Sequence, residues 1–282
     1  MRPVLVAWAL EHGVPDALVP GYGTLAGIAA LLAAAGVLRL TRREGGDVRR
    51  TATTLLIAYG GALAGGYVYE WLRVTPEALF SGSVAPYLHV GRAAYGGLLF
   101  AALGAAAHLR VSRAPVGAFF DRIALFLGVV YALVRVGCLL EGCDYGVPSE
   151  LALAVRYPAG SLAALEHAHA GLVPAGMASL PTHPTQLYEG AVALVASLGA
   201  LAVYRPARGG RLPSGAAFAV WLVLYAIGRA LVEAFRADAS RGLYAGLSTA
   251  QWTSLAIVVA IAGIGLVRVW RAPAAPARAE AA

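Results

Sequence analysis

The sequence predicts an all-α, polytopic membrane protein of about seven transmembrane helices with a small external cap, and three observations lead there. Of its 282 residues, 59% are hydrophobic and only 13% charged, and the mean hydropathy is +0.69, a balance foreign to soluble globular domains. Apolar runs of about 20 residues recur along the chain, each close to the length that crosses roughly 30 Å of hydrocarbon as a helix. The connections between them alternate between arginine-rich and arginine-poor, as loops on opposite sides of a bilayer do.

The elements follow in order. Pro3 to Leu10 is apolar, but Glu11 and His12 interrupt it and no small-residue cleavage site follows, so it reads as an interfacial segment and not a signal peptide. Spans are expected at 17–38, 51–72, 88–109, 116–140, 185–204, 215–236 and 248–269. Every basic residue is an arginine, and the arginines gather in the first, third and fifth connections and after the last span. By the positive-inside rule those segments are cytoplasmic, which puts the N-terminus and the connection at about 141–184 outside. The net charge of +7 then reports orientation and not nucleic-acid binding. Residues 1–272 are expected to form the membrane domain and 273–282, made of Ala, Pro, Arg and Glu, a disordered cytoplasmic tail. An odd number of spans without a visible repeat argues against a duplicated transporter.

The connection at 141–184 is too long for a plain loop. It carries Pro148, Pro158, Pro174 and Pro181 around a helix-like stretch from Ser161 to Gly171, the composition of a small external cap. His167 and His169, two apart, share no helix face and read as solvated histidines. Glycine pairs such as Gly60/Gly61, Gly65/Gly66 and Gly96/Gly97 mean tight helix packing.

Charge inside or beside the apolar runs points to a site, because an unpaired ionised group there costs several kcal/mol, about 3 or more. Three strings concentrate it. RVGCLLEGCDYG, from Arg135 to Gly146, is arginine-led and rich in glycine, which suits close backbone approach to an anion. Its thiols, Cys138 and Cys143, face apart on an intact helix, so a disulfide would require the helix to end between them; a zinc site would need two more ligands, with His183 the obvious one, and buried thiols are the plainer reading. THPTQLYEG, from Thr182 to Gly190, places Thr182 as a cap and Pro184 at a helix start, with Thr185 and Glu189 on one face. GRALVEAFR, from Gly228 to Arg236, sets Arg229, Glu233 and Arg236 in one stripe, where two arginines to one glutamate leave surplus positive charge suited to a phosphate.

In this order, and with seven spans, the three strings resemble the prolipoprotein diacylglyceryl transferase family over nearly the whole chain. The resemblance implies an enzyme that moves diacylglycerol from phosphatidylglycerol to the lipobox cysteine thiol of a preprolipoprotein and releases glycerol phosphate. It implies a multi-pass protein of the bacterial inner membrane, no metal or organic cofactor, and phosphatidylglycerol and the lipobox segment as partners. Arg135, Gly146, Arg229, Glu233, Arg236, Tyr22, His183, Gln186, Tyr188 and Glu189 fall on positions the family uses. Tyr95 stands where the family usually has a histidine, Cys138 where it has asparagine and Cys143 where it has glutamate.

The expected roles follow. Arg229 and Arg135 hold the phosphate, Glu233 orients an arginine, and His183, Glu189 and Tyr95 line the thiol side. The acceptor thiol must lose its proton, and tyrosine is a poor base at its ordinary pKa of about 10, so Glu141 and His183 are the other candidates. Two alternatives stand beside this reading: the same fold acting on a different acceptor or lipid, and a non-catalytic lipid transporter or scaffold.

Overall fold

The computed structural model describes residues 2–13, 19, 21–81, 94–237 and 243–270. The helices are α1 (Arg2–Glu11), α2 (Tyr22–Arg43), α3 (Val48–Ser81), α4 (Ala94–Val111), α5 (Val116–Glu141), α6 (Leu162–His169), α7 (Thr185–Arg208), α8 (Ala216–Val232) and α9 (Thr249–Trp270). A single 3₁₀ turn, Glu233–Phe235, continues α8, and a hairpin of two-residue strands, β1 (Leu243–Tyr244) and β2 (Leu247–Ser248), precedes α9.

Each expected span has a helix over its described residues, residues 88–93 of the third lying outside them. Five are long and apolar enough to cross a membrane among the described residues: Tyr22–Arg43, Val116–Glu141, Thr185–Arg208, Ala216–Phe235 and Thr249–Leu266. Gly96–Val111 is shorter but equally apolar in character. The outward faces match a hydrocarbon surround: Leu198 is 65% exposed, Leu231 67% and Val259 61%, apolar exposure that water would penalise. The first span starts five residues later than expected, at Tyr22, and runs on through Arg39, Arg42 and Arg43, whose long stems let a helix continue while the charged heads reach water.

The chain divides into two compact units. One comprises Ala30–Phe126 and Leu201–Phe218. Within it α3 and α4 pack closely: a Cβ on Gly61 would come 2.8 Å from the Phe100 carbonyl oxygen, and one on Gly97 2.9 Å from that of Ala62, which accounts for these glycines as contact residues. Buried Glu44 accepts from Arg122 Nε at 2.7 Å, and Asp121 accepts from the Gly215 and Phe218 N–H groups at 2.8 and 3.0 Å, satisfying the open first turn of α8.

The other unit comprises Met1–Ala29, Leu127–Ala200 and Ala219–Ala282. Here residues 142–184 fold on themselves around Tyr145, Tyr157 and Ala163. Ser161 caps α6 through the Ala164 N–H, so the helix-like stretch is a helix of Leu162–His169. Two expectations change. His169 is exposed, but His167 is buried at 3% and its Nδ1 accepts the Leu180 N–H at 3.1 Å, so it is a structural acceptor and not a solvated side chain. Burial lowers the His167 pKa, with Glu166 opposing. Thr182 is not the α7 cap either: it pairs with Val155 and Pro148 in extended backbone, and its hydroxyl turns to the Val155 carbonyl. Pro184 does precede the first residue of α7, as its fixed φ favours.

Candidate active site

All the site residues described below belong to this second unit. Arg135 lies on α5, six residues before that helix ends at Glu141. The chain then turns through two left-handed residues, Gly142 at φ 78° and Asp144 at φ 58°. Left-handed backbone is costly for a residue with a Cβ, and here the Thr185 hydroxyl holds the Asp144 carbonyl at 2.6 Å. The turn swings the Asp144 carboxylate back onto Arg135: Nη1 donates to Oδ2 at 2.7 Å, while Arg236 Nη2 donates to Oδ1 at 2.5 Å. Burial pushes the Asp144 carboxyl up, but the two guanidinium groups outweigh it and hold it at about 2, so it is ionised at neutral pH.

Glu189 is the second node. It is 1% exposed and lies one helical turn into α7. Its Oε1 accepts from Arg135 Nη2 at 2.7 Å and from the Tyr225 hydroxyl at 2.9 Å, and forms an ion pair with Arg229 Nε at 2.9 Å. Tyr225 is positioned by stacking on Trp221, whose ring centroid is 4.8 Å away, and Trp221 in turn donates to Ser197 at 3.0 Å. Arg229 also donates through Nη1 to Glu233 Oε2. Buried ions of this kind survive only when paired and hydrogen-bonded, and the network meets that requirement almost throughout. Two buried atoms within it have no hydrogen-bond partner: Arg135 Nε, a donor, and Glu233 Oε1, an acceptor.

Arg229 and Glu233 share a face at i and i+4 as expected, but the helical stripe stops there. α8 gives way to the 3₁₀ turn, and Arg236 is extended, bridged to Gly146. That bridge is why position 146 takes glycine: a Cβ would lie 2.6 Å from both His183 Cβ and the Phe235 carbonyl oxygen. Arg236 therefore joins the cluster through Asp144 and not along a helix face. The expected surplus of positive charge is also revised. Among the described residues, Arg135, Arg229 and Arg236 face Asp144, Glu189 and Glu233, three cations and three anions, so these six side chains are formally neutral together.

The remaining expected residues divide. Gln186 is fully buried and donates through Nε2 to the Cys143 carbonyl at 2.6 Å and to the Tyr157 hydroxyl at 2.9 Å. Cys138 and Cys143 are free thiols; α5 ends between them, and Arg135 Nη1 reaches Cys138 Sγ at 3.7 Å. His183 and Tyr188 form their own pair, Nδ1 to hydroxyl at 3.1 Å, against the Phe235 ring at 5.1 Å. Glu141 faces Arg2 at 3.6 Å and the Tyr22 N–H at 3.4 Å, outside the arginine network, and Tyr22 packs its backbone on Gly137. The side chain of Tyr95 lies outside the described residues, as does the tail at 273–282. Asp144 and Tyr225 were not among the expected site residues. Tyr225 had a readable signal, sitting four residues before Arg229 on an apolar helix.

Comparison with known proteins decides the family. The model for prolipoprotein diacylglyceryl transferase matches residues 13–268. The chain belongs to the prolipoprotein diacylglyceryl transferase family. Among similar proteins, a phosphatidylglycerol–prolipoprotein diacylglyceryl transferase of Symbiobacterium thermophilum is 33% identical over 231 residues, covering 81% of this chain and 80% of the relative. The second such transferase of Clostridium perfringens is 28% identical over 244 residues (84% and 86%), and that of Clostridium tetani 23% over 239 residues (85% and 89%). The residues matched by the family model include Arg135, Glu189 and Arg229.

Proposed function

We infer that this protein transfers the diacylglyceryl group of phosphatidylglycerol to the lipobox cysteine of a preprolipoprotein. Its relatives carry that activity in their names. The observation that carries the reading in this chain is the convergence of Arg135 and Arg229, from separate helices, on one buried oxygen of Glu189. In the reaction the thiolate sulfur attacks the glyceryl carbon that bears the phosphate. A C–S bond forms, the C–O bond breaks, and glycerol phosphate leaves with the electron pair. Negative charge grows on the phosphoryl oxygens, and guanidinium groups already fixed in place stabilise it without reorganisation, a contribution of about 3 kcal/mol per donor.

Arg135 Nε, buried and lacking a partner, supplies a donor for a phosphoryl oxygen. Glu233 Oε1, buried and equally unpartnered, accepts from a hydroxyl of the glycerol headgroup. Arg236, Asp144 and Glu189 hold the two phosphate-facing arginines in place. The arginine distribution supports a bacterial inner-membrane setting, with the cap at about 141–184 and the N-terminus outside and the tail at 273–282 inside.

The test is direct. Purified full-length protein in phosphatidylglycerol vesicles, given a peptide bearing a lipobox cysteine, should yield a thioether-linked peptide heavier by one diacylglyceryl group. Lipid binding with no covalent product, under conditions where a related transferase is active, would overturn the assignment in favour of a carrier.

A further inference from the structure

The chain holds 2 cysteines, Cys138 and Cys143, and the fold brings both to one turn. α5 ends at Glu141, and Gly142, at φ 78°, reverses the backbone. The Gly142 and Cys143 N–H groups both donate to the Cys138 carbonyl, at 2.9 and 3.2 Å. A helix end of this kind, with a six-to-one bond closed behind a left-handed glycine, sets the side chain just past the glycine against one in the last turn of the helix. Here both of those side chains are thiols. Their sulfurs lie within 4.8 Å of each other, and Cys143 Sγ also reaches the Cys138 carbonyl at 3.7 Å. The backbone hydrogen bond between the two residues keeps their Cα atoms within the reach that a disulfide requires, below roughly 7 Å.

We propose that Cys138 and Cys143 form an intrachain disulfide, and that this bond staples the turn that aims Asp144 at Arg135 and Arg236. The geometry stands by itself; the compartment and the effect on rate rest on the function and orientation inferred above, which put this turn outside, where disulfides form and persist. Asp144 follows Cys143 directly and is held at φ 58°, a costly backbone for a residue with a Cβ. From there its carboxylate bridges Arg135 at 2.7 Å and Arg236 at 2.5 Å. A covalent link from Cys143 back to α5 restrains the residue before Asp144 against the helix that carries Arg135. The bond costs Asp144 little. Cys143 Sγ lies 3.8 Å from Asp144 Oδ2, whereas Arg135 Nη1 meets the same oxygen at 2.7 Å, so losing the S–H leaves both guanidinium groups in place.

The electrons balance with an external disulfide as the oxidant. Cys143 is the partly exposed thiol and Cys138 the buried one, so Cys143, as a thiolate, attacks first. A mixed disulfide forms and one external thiolate leaves. Cys138 then gives its proton to water, its sulfur attacks Cys143 Sγ, the protein S–S bond forms and the second external thiolate leaves. Two protein thiols are oxidised and one external disulfide is reduced to two thiols.

Mass measurement decides the bond. Full-length protein, purified in detergent without reductant, is exposed to oxidised glutathione, alkylated, and cut with trypsin, which releases both cysteines in one peptide, residues 136–156. That peptide should carry no alkyl group and be lighter by two hydrogen atoms than its reduced form, and reduction before alkylation should label both sulfurs. Two alkylated cysteines after oxidised glutathione, a glutathione left on Cys143 beside a free Cys138, or chains linked to one another would each overturn the bond. For the staple, reduction followed by removal of the reductant should lower the unfolding midpoint by a few degrees. It should also slow thioether formation at saturating lipid by about threefold or more, with the apparent lipid affinity unchanged. Both effects should reverse on reoxidation. Cys143→Ser should match the reduced protein and ignore the reductant. A bonded wild-type protein whose midpoint and rate do not change on reduction overturns the staple. A bonded peptide from protein that makes no thioether in either redox state counts against the transferase reading and not against the bond.

Discussion

Glu189→Gln is the sharpest perturbation of the network. The amide keeps an oxygen where three donors now converge at 2.7, 2.9 and 2.9 Å, so shape is preserved and charge removed. The Tyr225 bond falls from the roughly 1.5–3 kcal/mol of a bond to a charged group toward the 0.5–1.5 of a neutral one, and the two guanidinium groups keep a hydrogen bond but lose the opposing charge, for a loss of about 3 kcal/mol in all. That lies at the lower edge of the 3–5 kcal/mol typical for stripping one partner from a buried pair. The low value is reasonable because Arg135 keeps Asp144 and Arg229 keeps Glu233. If the loss falls on the positions of the guanidinium groups during the reaction, thioether formation should slow by about two powers of ten. Glu166→Gln, whose carboxylate accepts from the Tyr145 hydroxyl in the cap, serves as the carboxylate-to-amide control and should stay near wild type. The assay is initial rate at saturating lipid, with thermal unfolding in detergent run in parallel. A Glu189→Gln enzyme within about threefold of wild type would refute the claim that this carboxylate sets the arginines.

Other outcomes follow from the same geometry. Arg229→Lys should lose nearly as much activity as Arg229→Ala, because one ammonium cannot replace an Nε on Glu189 and an Nη1 on Glu233 at once; a lysine variant with most of the wild-type rate would argue for simple point charge. Gly146→Ala should destabilise by about 1–3 kcal/mol through collision with His183 and the Phe235 carbonyl, read as a lower unfolding midpoint, and an unchanged midpoint contradicts the packing. His167 accepts the Leu180 N–H only when its Nδ1 is unprotonated, and burial depresses its pKa below the usual 6.5. The unfolded cap therefore binds more protons below that value, and stability is lost as pH falls through it. Hydrogen exchange around residues 157–182, corrected for intrinsic rate, should show weaker protection at pH of about 5.5 than at about 7.5; equal protection would be inconsistent with it.

The helices were legible because apolar length is a local property, and every expected span has a helix over its described residues. The cluster strings were legible for the same reason that they are rare: arginine and glutamate in apolar runs demand partners. What the sequence concealed was pairing across turns. Asp144 follows a glycine and a cysteine in a string whose helix ends at Glu141, and only its left-handed backbone points the carboxylate at Arg135 and Arg236. Periodicity carries no trace of that turn. Arg236 reads as the third member of a helical stripe, yet reaches the cluster from extended backbone. Thr182 reads as a cap from its place before Pro184, but bridge pairing with Val155 and Pro148 claimed it. His167 reads as solvated from its spacing to His169, and only the fold of residues 142–184 reveals its acceptor role.

In the function proposed above, the balance of charge explains why carboxylates crowd a phosphate site. Three guanidinium groups buried together without counter-charge would repel one another and would need substrate to hold them in place. With Glu189 and Asp144 shared among them, Arg135, Arg229 and Arg236 are fixed before any lipid arrives. A neutral frame also grips a singly charged phosphodiester only moderately. Charge on the phosphoryl group then rises as the C–O bond breaks, so the same fixed donors interact more strongly with the transition state than with the bound lipid, which is the difference that accelerates a reaction. An uncompensated arginine cluster would bind lipid and glycerol phosphate alike, and its gain in affinity would reappear as slow product release. The third carboxylate, Glu233, ties Arg229 down through one oxygen, and in the function proposed above its other oxygen accepts from a headgroup hydroxyl while the donors beside it set the rate.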